Sequence, residues 1–457
     1  MLKYPRVVSR DIKPTIRRVA GGGILVLLSV LFYLTFYQNL PANPLNDPAP
    51  AQSVGMGAAS DSTGNTTDRT IRLIMIAITV SVITTRWSLV RVLAKSSNPG
   101  LAAFMVLAPL SAIWSIDPSA TLLRFTSFAC VVLVCFAISL AGWYRQRLQQ
   151  LAIPPVLCIL VASLVLGIMY PDRIIEVGTD ISQNGAWHGI TFTKNTFGML
   201  ASAGVILCLN KWLAREGRAI WSIAGTAVAF VCLVLSRSNT SLLAALVGIL
   251  FMVLVMRVPM IKKRYSTHVV IGIVVTLLLY EMVIQDVIPG VNVLLAPITG
   301  LTGKDTTFSA RTTIWNVIKE HIRAAPLLGT GYSAYWQEIP SSPSYVFKYL
   351  MYFYPSESHN GYLEVMNDLG LVGMLCLLSF IYSYVRYALQ MMQFDRSQAS
   401  LYLAIMFSEM VINMSESNWF SRGSTSTILI LATFCLSRGL FEHHRQAQST
   451  GSVVRAR

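Results

Sequence analysis

Apolar residues fall along this chain in long, almost unbroken runs. They do not alternate as in a half-buried strand, nor form the stripe of a soluble amphipathic helix. The runs lie at Gly21–Tyr37, Ile71–Thr85, Leu101–Ile116, Phe125–Gly142, Leu151–Tyr170, Thr196–Leu213, Ala219–Leu235, Ser241–Met256, His268–Ile284, Tyr362–Tyr384, Ala399–Met414 and Thr425–Leu436. A bilayer core takes about 20 apolar residues in a helix, so the shorter runs must borrow from their flanks. The pattern predicts an all-α, polytopic integral membrane protein of about 12 transmembrane helices. It divides into residues 1–284, a membrane part of about nine spans with short loops. Residues 285–361 form one long loop, and residues 362–457 hold about three more spans and a tail.

Composition agrees. Of 457 residues 54% are hydrophobic and only 12% charged, about half the charged share of a soluble domain. That excludes a disordered tail protein, a disulfide-stapled miniprotein and a soluble nucleotide-binding or barrel enzyme. The net charge of +15 invites a nucleic-acid reading, but its distribution argues for topology. With the N-terminus inside, 24 of the 36 Lys and Arg residues fall on inner segments, as the positive-inside rule requires. Both termini are then cytoplasmic, the bilayer is the partner, and nucleic acid is not. The first run exceeds a signal-peptide core, so it reads as an uncleaved span. All seven cysteines sit inside apolar runs and read as buried free thiols. Trp114, Trp143, Trp212, Trp221 and Trp419 fall near span ends, where interfacial aromatics belong.

Four segments then share the outer face: Pro171–Asn195, Ser236–Thr240, Gln285–Gly361 and Ser415–Ser424. The long one carries Ile314, Ile318 and Ile322 at four-residue spacing beside Trp315. This predicts a folded loop whose amphipathic helix starts at Ser309 and stops at Pro326, on the membrane surface or against the spans. Arg311 falls in its first turn, where a cation opposes the helix dipole by about 0.3–1 kcal/mol. A bound phosphate would remove the conflict; pairing with Asp305 or a lipid headgroup is the plainer reading. Arg237, in a short polar turn, either snorkels to headgroups or supplies a second guanidinium for a diphosphate. His359, where the long loop meets the tenth span, suits a base near neutral pH or a capping role. Asn360 or Ser358 can cap that span, and Glu364 either orients the His359 ring or faces another span. Trp187, His188, Lys194 and Asn195 mix aromatic, amide and charged groups at another span entrance. They suit a glycan platform or a plain re-entrant turn. Glu409 is the intramembrane acid closest to a proton-relay position. No Asp-x-Asp, Walker, Gly-x-Ser-x-Gly or His-Glu-x-x-His motif occurs, and no Cys/His cluster has zinc spacing, so neither a metal nor another cofactor is expected.

These stretches resemble the O-antigen polymerase and ligase superfamily of bacterial inner membranes, on its exopolysaccharide-production side. The matching residues are Trp114–Arg124, Gly185–Gly198, Gly303–Trp315, Pro326–Tyr332 and Ser358–Gly373, in the family's order and spacing. Ala310 stands before Arg311 where the family usually has Gly. The resemblance implies an inner-membrane enzyme with a periplasmic active site, acting on a repeat unit carried by undecaprenyl diphosphate. Arg237 and Arg311 would hold the diphosphate, and His359 would deprotonate the acceptor hydroxyl. Trp187, His188, Lys194, Asn195, Asn360, Glu364 and Tyr332 would line the substrate site. Chain-length regulator and export proteins are the partners it implies. Polymerisation of repeat units is the first expectation, ligation of glycan to lipid A core the second. A secondary transporter is a third, although no internal repeat or midplane cluster speaks for one.

Overall fold

The computed structural model describes residues 66–142, 147–176, 185–257, 272, 309–337, 340, 342–351 and 354–454. The runs at Gly21–Tyr37 and His268–Ile284 (Gly272 aside), Trp143, Asp305 and most of the Pro/Ala-rich loop before residue 66 lie outside them. Twelve helices order the described chain: α1 Thr66–Thr85, α2 Trp87–Ser96, α3 Pro99–Leu110, α4 Pro118–Ala141, α5 Leu148–Met169, α6 Lys194–Leu213, α7 Ala219–Leu235, α8 Asn239–Arg257, α9 Ser309–Ala324, α10 Gly361–Met391, α11 Arg396–Ile412 and α12 Ser424–Val454. Short helical turns at Ser111–Ile113, Pro171–Ile174, Pro343–Val346 and Phe347–Leu350 complete the list. Among the described residues, extended pairing is limited to one isolated bridge between Ile175 and Trp187.

The described residues are all-helical, and the protein is a polytopic membrane protein. Among the described helices, α4, α5, α6, α8, α10 and α12 are long and apolar enough to cross a bilayer. A seventh span arises if α1 and α2, bent by 97° at Arg86, are taken together. The run at Ile71–Thr85 is therefore half of a broken pair rather than a straight span. Helices α3 and α7 are shorter apolar helices. Ten of the twelve runs coincide with helices. Their ends move outward where capping chemistry extends them: Asp117 accepts the Ala120 N–H and Pro118 opens α4, well before the run at Phe125.

Within the bundle α6 packs on α7, α8 and α5, α8 on α11, α3 on α10, and α4 on α12. Leu, Ile, Val, Phe and Met side chains make one continuous core. Five cysteines are buried, Cys130 is half-buried and Cys158 is exposed on an apolar face of α5; all seven are free. Burial of all seven thus fails at Cys158. Trp419 departs from its interfacial expectation: it is buried against Tyr362 and Phe380.

Helix α10 breaks at Gly370, whose φ of 59° is left-handed. A side chain there would meet the main chain of Leu327 and Leu328. The break lets residues 326–331 dock along α10 by main-chain bonds: Leu371 N–H donates to Pro326 O (2.8 Å), and Gly331 N–H to Asp368 O (2.9 Å). A second, smaller core follows. Ile314, Trp315 and Ile318 of α9 pack with Tyr335, Trp336, Phe347, Tyr354 and Leu363. The amphipathic helix thus lays its apolar face on its own loop and the start of α10.

Candidate functional site

The start of α6, the α7–α8 turn, α9, the start of α10 and the α11–α12 turn meet at one end of the bundle. Gly361 N–H donates to Asn413 O (2.9 Å), which ties α10 to the α11–α12 turn. Ser415 Oγ donates to Thr240 Oγ1 (2.7 Å), which ties that turn to the one carrying Arg237. Gly198 of α6 lies against Ser236, Ser238 and Ser241.

His359 is fixed by its neighbours. Its φ is 51°, a left-handed conformation that a non-glycine residue holds only when its surroundings impose it. On one side Trp315 Nε1 donates to Ser358 O (2.9 Å), and Ser358 N–H donates to Glu364 Oε2 (2.8 Å). On the other, Asn360 caps α10, its Oδ1 accepting from Tyr362 and Leu363 N–H at 3.0 Å each. Ser417 Oγ lies 3.0 Å from Ser358 Oγ and accepts from Asn360 N–H at 3.3 Å. The loop is thus held at both peptide bonds flanking the histidine.

The ring then meets charge. His359 Nδ1 lies 3.1 Å from Glu357 Oε1 and 3.7 Å from Glu416 Oε2. Glu416 Oε1 accepts from Asn195 Nδ2 at 2.7 Å and pairs with Arg311 Nη2 at 3.3 Å. Burial alone would lower the imidazole's pKa, but the two carboxylates outweigh it and push it up to about 10. Burial disfavours the Glu416 carboxylate too, yet His359 and then Arg311 hold it below the usual range. His359 therefore carries a proton at neutral pH, shared electrostatically with two acids. Glu357, His359 and Glu416 also offer three ligand atoms within 4.8 Å of one another, but the Arg311 guanidinium occupies one of those carboxylates.

The other expected residues divide. Arg311 and Asn195 stand in this cluster. Arg237, exposed and left-handed at φ 51°, lays its guanidinium against Gly185. The contacts above place its turn beside the α11–α12 turn. Trp187 donates its backbone N–H to Leu235 O (3.0 Å) and packs its ring against Gly167 of α5. His188 is buried; burial lowers its pKa, and Nδ1 lies 3.2 Å from Thr191 O. Lys194 donates its backbone N–H to Glu176 Oε1 at 3.3 Å. Glu364 accepts from Trp336 Nε1 (2.6 Å) as well as Ser358, so it braces the loop rather than the ring. Tyr332 is buried among Phe104, Phe128 and Phe420, its hydroxyl donating to Phe420 O at 2.8 Å. Glu409, the relay candidate, is buried and accepts from Asn418 Nδ2 at 2.8 Å.

Sequence reasoning missed Glu357 and Glu416. Each is the middle of a Ser-Glu-Ser tripeptide, one at residues 356–358 shortly before the run that begins at Tyr362 and one at 415–417 directly after the run that ends at Met414. That repetition was the available signal.

Residues 224–378 match the model of a family described as O-antigen ligase. This stretch holds Arg237, Arg311, Glu357 and His359. Over 286 residues the chain is 26% identical to the exopolysaccharide production protein ExoQ of Rhizobium meliloti (strain 1021). That match spans 60% of this chain and 61% of the relative's length. The two matches support the O-antigen ligase and polymerase-like family.

Proposed function

We propose that the protein polymerises lipid-linked oligosaccharide repeat units into exopolysaccharide by metal-independent glycosyl transfer at the periplasmic face of the inner membrane. What carries the reading is the convergence of Arg311, His359 and Asn195 on one carboxylate, within and beside the stretch that matches the family. Undecaprenyl diphosphate is the carrier, and about twelve spans with both termini inside set the topology.

In this reaction a hydroxyl of one repeat unit attacks the anomeric carbon of another chain, and the diphosphate leaves. Arg311 and Arg237 take the leaving group's charge, since a guanidinium stays protonated and pairs bidentately with phosphate oxygens. His359 presents Nδ1 to Glu357 and Glu416, which leaves Nε2 for the acceptor proton. The base form is the neutral ring. With its pKa raised to about 10, that form is a minority at pH 7 and grows as pH rises. The polymerisation rate should therefore climb with pH toward about 10; a flat profile would make His359 a third cation for the diphosphate instead.

The test is reconstitution in liposomes with a lipid-linked repeat unit, the products being run on a gel. A ladder of multiples, absent in Arg311→Ala, is the expected result. The description of the matching family favours ligation as the second reading. Transfer of a single glycan, appearing only when lipid A core is added, would establish it. Neither product, with substrate crossing the bilayer, would return the transporter reading.

A further inference from the structure

Glu416 joins three of the expected site residues through one carboxylate. Oε1 takes Asn195 Nδ2 (2.7 Å) and Arg311 Nη2 (3.3 Å), and Oε2 faces His359 Nδ1 (3.7 Å). The side chain is only 11% exposed. It is delivered from a fixed turn: Asn413 Oδ1 accepts from Asn418 N–H (2.8 Å) and Trp419 N–H (2.7 Å), and Ser415 is tied to Thr240.

Of the five N–H groups of the guanidinium, Glu416 holds one at Nη2, and a phosphate oxygen that pairs bidentately with Arg311 competes for that donor. Two anions facing one guanidinium in a partly buried site also repel. Glu416 thus stands where an anion arriving at Arg311 must compete. We propose that Glu416 is a positioning residue that holds Arg311 and His359 in register before substrate binds and yields Arg311 to the incoming diphosphate. The diphosphate is taken from the function proposed above; the competition itself rests on the geometry. Anion binding then leaves Glu416 to His359 and Asn195, which couples arrival of the leaving group to orientation of the base.

The experiment uses the full-length protein in nanodiscs, with inorganic pyrophosphate as probe in calorimetry and the polymerisation assay for kinetics. Glu416→Gln should bind pyrophosphate about tenfold more tightly, because a like charge has gone. Its KM for the lipid-linked unit should fall while kcat at high pH also falls. The acid limb of the pH–rate profile should move down by roughly one pH unit, because His359 loses one of the two carboxylates that face it. Glu357→Gln should move the same limb but leave pyrophosphate affinity at the wild-type value. Glu416→Asp, which keeps the charge but shortens its reach, should show the same changes at smaller size. A merely structural role would raise KM and lower kcat together with the limb unmoved. Unchanged or weaker pyrophosphate binding in both Glu416 variants would overturn the proposal. Equal binding by wild type and Arg311→Ala would instead remove the diphosphate site itself, and with it the function proposed above.

Discussion

Helix α6 carries an asparagine to each end of the bundle, and the two meet different company. Near its C-terminus Asn210 Oδ1 accepts from Gln149 Nε2 (2.7 Å), and Nδ2 donates to Ser400 Oγ (3.3 Å) and Ser397 O (3.2 Å). Gln398 Nε2 closes the ladder on Gln149 (3.1 Å). These partners are neutral, and Asn210, Gln149, Gln398 and Ser400 are all buried. In its first turn Asn195 instead donates to Glu416, an acid shared with Arg311 and His359. Of five non-glycine residues with left-handed backbone among those described, Arg237, Ser333, His359 and Phe420 lie at this end, and Arg215 at the other. A neutral ladder fixes the register of α5, α6 and α11 and stores little that chemistry can use. Shared charge on strained backbone is held there against local preference, as functional sites are.

That contrast predicts its largest effect at the charged end. His359→Ala should lower polymer formation by about 10²–10⁴. Arg311→Lys should cost about 10² or more, because lysine keeps the charge but loses the planar fork. Both should leave thermal unfolding in detergent close to wild type. Wild-type rates per folded molecule in either variant would erase the difference between the two ends.

Much of the fold was legible in hydropathy, because a helix that must satisfy its own backbone in lipid leaves an apolar run. What hydropathy cannot carry is a break. Gly370 sits in the middle of the tenth run, and its left-handed turn shows only once residues 326–331 dock there. The α1–α2 bend at Arg86 is hidden in the same way. In the site, Arg311 and His359 were visible because each is misplaced for a bland role: a cation in a first helical turn, and a histidine at a span entrance. Glu357 and Glu416 were not, since an acid in a polar turn reads as solvated until folding places it beside a histidine. Asn360 and Tyr332 show the converse. Their side chains serve binding and packing equally well, and here one caps α10 while the other fills the core.

The opposite end supplies the intermediate effect. Asn210→Leu strands the Gln149 Nε2 donor and removes two bonds from Nδ2 to α11. Leaving buried polar groups unpaired costs about 1–3 kcal/mol each. The variant should melt earlier in detergent, while its polymerisation rate per folded molecule stays within about twofold of wild type, the size of an effect below 0.5 kcal/mol. A large fall in that rate with unchanged melting would mean that the neutral ladder, too, belongs to the chemistry.

The smallest effect comes from the nearest counterpart of Arg311. Arg147 pairs with Glu216 and, at 3.5 Å, with Asp395, so it too is an arginine on glutamate between helices. Its side chain is 42% exposed, against 23% for Arg311. An exposed pair gains little from attraction in water, is screened by salt, and is worth about 0.2–1 kcal/mol. Arg147→Ala should therefore shift unfolding slightly, lose even that shift in high salt, and leave both the rate and its pH profile unchanged. A double-mutant cycle of Arg147 with Glu216 reads this as a coupling in stability, and the same cycle of Arg311 with Glu416 should read mainly as a coupling in rate. If the Arg147 cycle also appeared in the rate, the distinction would lie in burial alone. If it appears only in stability, two ion pairs of like composition differ because one holds helices together and the other holds a charge in place for an anion.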